Sequence, residues 1–329
     1  MDPRARIIVI INPTSARSRR VWPKIKNALS GAGIGFDEHE THHAGDATDK
    51  TRAALKDGYN IVAVVGGDGT LSEAALGFFE FRNGKDEVGV PAHSPINPDA
   101  ALAILPAGTG DDFARGLAGK RSSLGEWLGI LMAYSRSDGS STARQIDVIH
   151  GRIKQEGRDF ICLNVTTIGL GAEVAARVAS QGGTMRRLPG EVRFVFAACG
   201  ALAAWRERPV YVTVDDGEAI ESETNLMALA NGVYAGGGMM FAPQARNDDG
   251  LIDLLLTQGL TRATILRELP RIRRGDHLAN NRVRVIRASH VRIDTHTPED
   301  ALLVEADGNV RGQTPAEFWI MPKAIRIVV

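Results

Sequence analysis

Three short runs of unbroken apolar residues, Ile7 to Ile11, Ile61 to Val65 and Ala101 to Leu105, set the rhythm of the first third of the chain. Such runs predict strands buried on both faces. Between them apolar positions recur at helical spacing. Val21, Ile25 and Leu29 mark one helix that Gly31 ends; a second runs from a cap at Asp46 or Thr48 to Asp57, with Gly58 as its stop. Phe36 to Thr41 reads as a further strand, and Leu71, Ala74, Ala75, Phe78 and Phe79 form the apolar face of a third helix. Strand and helix alternating through short connections predicts a parallel, doubly wound α/β sheet, whose ligands bind at the carboxyl ends of its strands. Asn12, Thr41 and Asp68 fall at such ends.

Residues 83–100, with three prolines and no period, read as a surface loop. Ser123 and Glu126 have capping-box spacing ahead of a helix whose core face is Leu124, Trp127, Leu128, Leu131 and Met132. The polar stretch Ser135 to Thr142 marks a domain boundary. Beyond it, short strands at Gln145–Ile149, Phe160–Val165, Val210–Val214, Leu226–Ala230, Ile252–Leu256, Val283–Ile286 and Val291–Ile293 predict an antiparallel β-sandwich. One helix interrupts them, from about Glu191 to Trp205. It is apolar almost all round, which predicts burial; the flanking Arg186, Arg187, Arg206 and Arg208 leave interfacial membrane contact as the alternative. The arginine-rich run Arg271 to Arg292 reads as a solvated sheet face or as a surface drawn to anionic lipid.

The candidate chemistry sits in two glycine-rich corners, Gly66-Gly67-Asp68-Gly69 and Pro106-Ala107-Gly108-Thr109-Gly110, each between a strand and a helix. Glycines there let backbone N–H groups approach an anion, and the helix start adds partial positive charge, so phosphate is the expected guest. Asp68 would repel a phosphate unless a cation or a transferable proton stands between them; the plainer reading is a turn aspartate. Arg17, Arg19 and Arg20 after the first strand suit a phosphate tail or a solvated loop.

Composition narrows the classes. A chain of 329 residues suggests two domains. Its charges balance at zero, so nothing in the overall balance calls for nucleic acid. Cys162 and Cys199 lie in apolar surroundings without metal-ligand spacing and read as buried thiols in a reducing compartment. The start MDPRARIIVIINP offers no signal peptide, and Phe194 to Trp205 is too short to span a bilayer. A cytoplasmic protein with at most peripheral membrane contact is expected.

IINPTS ending at Ser15, THHAGDA at 41–47, GGDGTLSEA at 66–74, PAGTGDDFAR at 106–115, NGVYAGGGMMFAPQARNDDGLIDL at 231–254 and VEADGNVRGQTP at 304–315 together resemble the diacylglycerol kinase catalytic family. The likeness is to its soluble bacterial branch, with sphingosine kinases and NAD kinases as more distant relatives. The resemblance implies an ATP-binding α/β domain over 1–140 and a lipid-substrate β-sandwich over 141–314, with strands Phe318–Ile320 and Ile325–Val328 returning to the first domain. It implies ATP contacts at Thr41, Gly66, Gly67, Asp68, Gly69, Thr70, Leu71, Ser72, Gly108 and Thr109, with Asn12 close to the phosphates. It also implies Mg²⁺ as cofactor, with a structural site using the Asp249 carboxylate and the carbonyls of Arg246 and Leu251. The implied partner is a lipid met at a membrane surface, and a homodimer is compatible with the reading.

Two residues depart from the family pattern. Asp111 stands where most members have asparagine, and Asn309 where the family's Asp-Gly-Glu places the glutamate usually assigned as proton acceptor. An amide does not take a proton at neutral pH, and Asp68 or Asp307 could assume the role. The resemblance to the sphingosine kinase branch, where the aspartate of the same turn is treated as the base, implies Asp68 first and Asp307 second as candidate catalytic carboxylates.

Overall fold

The structure, a computed structural model, describes residues 5–85, 91–137, 143–182, 185, 188 and 190–329. The chain forms two compact units, residues 1–148 with 321–329, and residues 149–320.

The first unit runs β1 (Ile7–Ile11), α1 (Ala16–Gly31), β2 (Phe36–Glu40), α2 (Asp46–Lys56), β3 (Ile61–Gly66), α3 (Asp68–Leu76), β4 (Phe79–Lys85), β5 (Pro91–Pro95), β6 (Ala101–Pro106), α4 (Asp112–Ala118) and α5 (Leu124–Arg136). β7 (Ala143–Ile153) then leads into the second unit. β1, β3 and β6 are buried at every position, as their apolar runs require. With the end of the last strand, β20 (Ala316–Val328), they form a parallel sheet in the order β2-β1-β3-β6-β20.

Local signals fare unevenly. Ser15 caps α1, and Ser123 and Glu126 complete both bonds of the capping box on α5. The α2 cap is Gly45 at φ 87°, rather than Asp46 or Thr48; Asp46 is the first helical residue, and its carboxylate accepts the His42 N–H at 2.8 Å. Residues 83–100 are not wholly loop, since β5 pairs antiparallel with β4 and places Pro91 and Pro95 at its ends, where a missing N–H is tolerated. Of the expected linker 135–142, residues 138–142 lie outside the described residues.

The second unit continues with β8 (Arg158–Cys162), β9 (Val165–Gly169), α6 (Leu170–Ser180), α7 (Gly190–Ala203), β10 (Arg208–Val214), β11 (Ile220–Thr224), β12 (Leu226–Ala230), the short pair β13 (Tyr234–Ala235) and β14 (Met239–Met240), β15 (Ile252–Thr257), α8 (Arg262–Ile272), β16 (Val283–Ala288), β17 (His290–Thr295), β18 (Leu303–Ala306) and β19 (Asn309–Gln313). One antiparallel sheet, β16-β15-β12-β9-β18-β19, faces strands β7, β8, β10 and β17 and the start of β20. Ile168, Met227, Leu229, Leu254 and Val304 of the first layer pack against Ile149, Phe160, Val212, Ile293 and Phe318 of the second. This is a β-sandwich core. The sequence predicts one helix here; α6, α7 and α8 are present, α8 carrying Pro270 within it. Phe318–Ile320 and Ile325–Val328 belong to the single strand β20, which bends at Lys323, φ 49°, where the Lys323 N–H donates to Asp147 Oδ1 at 2.8 Å.

Candidate active site

The sheet order of the first unit places its topological switch between β1 and β3, because the chain leaves β1 for β2 on one side and returns to β3 on the other. Asn12 and the Gly66–Gly69 corner flank that point. The Asn12 N–H donates to Val65 O at 3.1 Å, its Nδ2 donates to Thr70 Oγ1 at 2.8 Å, and its Oδ1 accepts the Thr14 N–H at 3.0 Å. The side-chain amide is therefore fixed at both ends and ties the loop after β1 to the first turn of α3. Thr41 closes β2 beside this loop, its N–H donating to Ile11 O at 2.8 Å. Leu71 and Ser72, also among the expected contacts, are buried within the first turns of α3. The first turn of α3, beginning at Asp68, opens at the carboxyl end of β3, an arrangement that favours an anion.

The two glycine corners touch. A Cβ on Gly108 would stand 2.6 Å from Gly67 Cα, and one on Gly67 would stand 3.1 Å from Gly108 Cα. Asp68 locks the same contact, its Oδ2 accepting the Asp112 N–H at 3.0 Å and its Oδ1 the Phe113 N–H at 3.1 Å. The Gly108 N–H is in turn held by Asp111 Oδ1 at 2.7 Å. Donors of the second corner thus face the chain's own carboxylates, and that corner backs the first. Thr109 is exposed at its tip.

Asp111, the first departure, adopts φ 51° and pairs with Arg17, whose Nη1 lies 2.8 Å from Asp111 Oδ2 and 2.7 Å from Gly108 O. The extra negative charge meets a cation from the arginine run after β1. Arg19 Nη1 donates to Pro13 O at 2.7 Å, so two of the three arginines brace the loop.

In the second unit Asp307 occupies the turn between β18 and β19 at φ 49°. Its carboxylate accepts the Leu163 N–H at 2.7 Å, the Asn164 N–H at 3.0 Å, the Val165 N–H at 3.3 Å and the Cys162 thiol at 3.3 Å. Four donors saturate a carboxylate, so this geometry makes Asp307 the clamp of the β8–β9 corner. Burial pushes its carboxyl up from the ordinary range, and the Leu163 N–H pulls the other way.

Sequence reasoning missed Glu305, which accepts the Thr167 hydroxyl at 2.6 Å and the Gly308 N–H. Its signal was a lone acid inside the apolar strand Leu303–Ala306. Burial pushes Glu305 up to about 7, from 4.5. The neutral form is favoured by folding, so its contribution is complete below pH 4.5 and lost as pH rises through about 7. The span corresponds to about 3 kcal/mol. Glu305→Gln should flatten this dependence, visible in urea unfolding at about pH 5 and about pH 8; parallel losses in parent and variant would contradict it.

The implied magnesium donors Arg246, Asp249 and Leu251 share one turn, but Asp249 Oδ2 is held by Arg287 Nη2 and its Oδ1 accepts the Leu251 N–H at 3.2 Å. Arg287 Nε also lies 3.7 Å from Asp253 Oδ1. A guanidinium already neutralises this corner, so the set as arranged does not fit a divalent cation.

Two family models match the chain: the diacylglycerol kinase catalytic domain over residues 6–138, and the YegS C-terminal NAD kinase beta sandwich-like domain over residues 166–329. A diacylglycerol kinase of Bacillus subtilis (strain 168) is 26% identical over 328 residues, covering 99% of this chain and 96% of that protein. One of Mycobacterium tuberculosis (strain CDC 1551 / Oshkosh) is 29% identical over 298 residues, covering 90% and 83%. The crystal structure of a diacylglycerol kinase from Bacillus anthracis str. Sterne has the same fold, with a TM-score of 0.65 at 20% identity, covering 99% and 97%. The matches run through both units and in the chain's own order, and on them the chain belongs to the diacylglycerol kinase catalytic family and is a kinase.

Proposed function

We propose that the protein is an ATP-dependent lipid kinase that transfers the γ-phosphoryl group to the hydroxyl of diacylglycerol, giving phosphatidic acid. The observation that carries this is the contact of two glycine corners at the sheet's switch point, with the start of α3 at the same strand end. Likeness to proteins named diacylglycerol kinase over nearly the whole chain supports the acceptor. Mg²⁺ carried with the nucleotide would offset phosphate charge near Asp68.

The chain's part is positioning. Asn12 and Thr70 hold the loop and helix that frame the phosphates, and Arg17 keeps the second corner in place. As the acceptor oxygen bonds to the γ-phosphorus, the bond to the β–γ bridging oxygen breaks and ADP leaves. The hydroxyl proton passes to the carboxylate of Asp68, which the Asp112 and Phe113 N–H groups hold at the first corner. The lipid is met at a membrane surface on the cytoplasmic side.

Purified protein, Mg²⁺ and labelled ATP, offered mixed micelles of diacylglycerol, monoacylglycerol, sphingosine or ceramide and, separately, NAD, should yield phosphatidic acid. A sphingoid or ceramide phosphate instead would move the acceptor. No labelled lipid at all would end the proposal. Asn309 favours a second reading, a lipid- or nucleotide-binding regulator without turnover. Activity that appears only in Asn309→Glu would establish that reading; activity in the parent removes it.

A further inference from the structure

The composition of α7 predicts a buried helix, yet only one face is covered, by Phe194, Ala197 and Ala201, and large apolar residues remain on the other. Ala197 and Ala201 pack with Val174 of α6, joined by Leu170 and Val178. Val192, Val195 and Phe196 face solvent, Val195 58% and Phe196 59% exposed, and exposed Cys199 continues their face at helical spacing. Leaving valine and phenylalanine in water while alanines fill the interior is unfavourable, and such a face marks an interaction surface. α8 repeats the arrangement with Ile265 and Glu268 buried and Leu266 and Leu269 outside. The two helices adjoin, since Arg262 Nη2 at the start of α8 donates to Trp205 O just beyond α7 at 3.2 Å.

Charge selects the partner. The whole chain carries 39 basic and 39 acidic residues, but Arg262 to Arg292 holds nine arginines against Glu268 and Asp276. Glu268 pairs with Arg267 and Arg271 and Asp276 with Arg274, while Asp249 and Asp253 meet Arg287 and Asp294 meets Arg292; nine arginines against these five acids leave the stretch with a net positive charge. A second copy would bring the same cations to the same face. An anionic bilayer supplies both hydrocarbon and negative headgroups. We infer that α7 and α8 form a docking face for anionic membrane, with Val192, Val195, Phe196, Leu266 and Leu269 at the acyl boundary and the arginines among the headgroups. The inference rests on the lipid-kinase reading for its purpose, and its test needs neither nucleotide nor turnover.

Of the two cysteines expected to be buried only Cys162 is, and burial pushes its thiol well up; Cys199 is exposed on the open face of α7 and so provides a native probe. With an environment-sensitive maleimide dye on Cys199, phosphatidylcholine vesicles containing phosphatidylglycerol should shift the emission to the blue. Pure phosphatidylcholine vesicles should do so far less, and salt should weaken the effect. By cosedimentation, Val195→Ser with Phe196→Ser, and separately Leu266→Ser with Leu269→Ser, should each weaken vesicle partition about tenfold or more, with thermal melts unchanged. A dye that stays unmoved while the protein sediments with vesicles, variants that bind like the parent, or a shift that follows protein concentration without lipid would each overturn the docking face. Lipid phosphorylation without vesicle binding removes this face alone; vesicle binding without lipid product removes the kinase reading alone.

Discussion

Gly108→Ala should lose most ATP affinity, about tenfold or more, and lower kcat/KM about a hundredfold. The added methyl would stand 2.6 Å from Gly67 Cα and 2.8 Å from Asp111 Oδ1. The nearer atom is backbone, so no rotamer change relieves the contact; the corners must separate, at an overpacking penalty of about 1–3 kcal/mol. Separation would also stretch the bonds from Asp68 to the Asp112 and Phe113 N–H groups, so the first turn of α3 would shift with it. Gly116→Ala is the control, since nothing lies within 4 Å of a Cβ there and the position is helical. It should keep wild-type affinity and gain up to about 1 kcal/mol of stability. Calorimetric titration of both variants with Mg²⁺ and ATP checks this, and wild-type affinity in Gly108→Ala would mean that the corners do not frame the nucleotide.

That contact marks the limit of what the sequence reveals. β1, β3 and β6 were legible because a strand buried on both faces needs an unbroken apolar run, and none of the three carries a competing period. The capping box on α5 was legible because its partners lie three residues apart. The apposition of Gly67 with Gly108 joins residues from two different strand ends, and the bonds of Asp68 reach 44 and 45 residues along the chain. Local pattern holds no record of either. The pairing of Asp111 with Arg17 spans 94 residues, which is why an apparent excess of negative charge in the motif carries its own counter-ion. α7 fails differently. Composition counted its apolar residues correctly, but only its packing on α6 reveals that the alanines turn inward.

Asp68→Asn should reduce kcat about a hundredfold to a thousandfold, because the change removes a charge that can take a proton or face a cation at the first corner. It keeps the shape of the side chain but not its bonding. The carboxylate accepts from two backbone donors; an amide oxygen can satisfy one, and its NH₂ would point at the other. Losing a charge-assisted bond at the start of α4 should therefore lower stability by about 1.5–3 kcal/mol as well. The two effects separate by measurement. If Asp68 only braces the corners, kcat/KM should fall with ATP affinity while kcat at saturating nucleotide and lipid stays near the parent's. If its charge enters the transfer, kcat at saturation falls, and calorimetric ADP affinity measured well below the melting temperature changes far less. A saturated kcat equal to the parent's would leave Asp68 as a strut and return the proton to solvent.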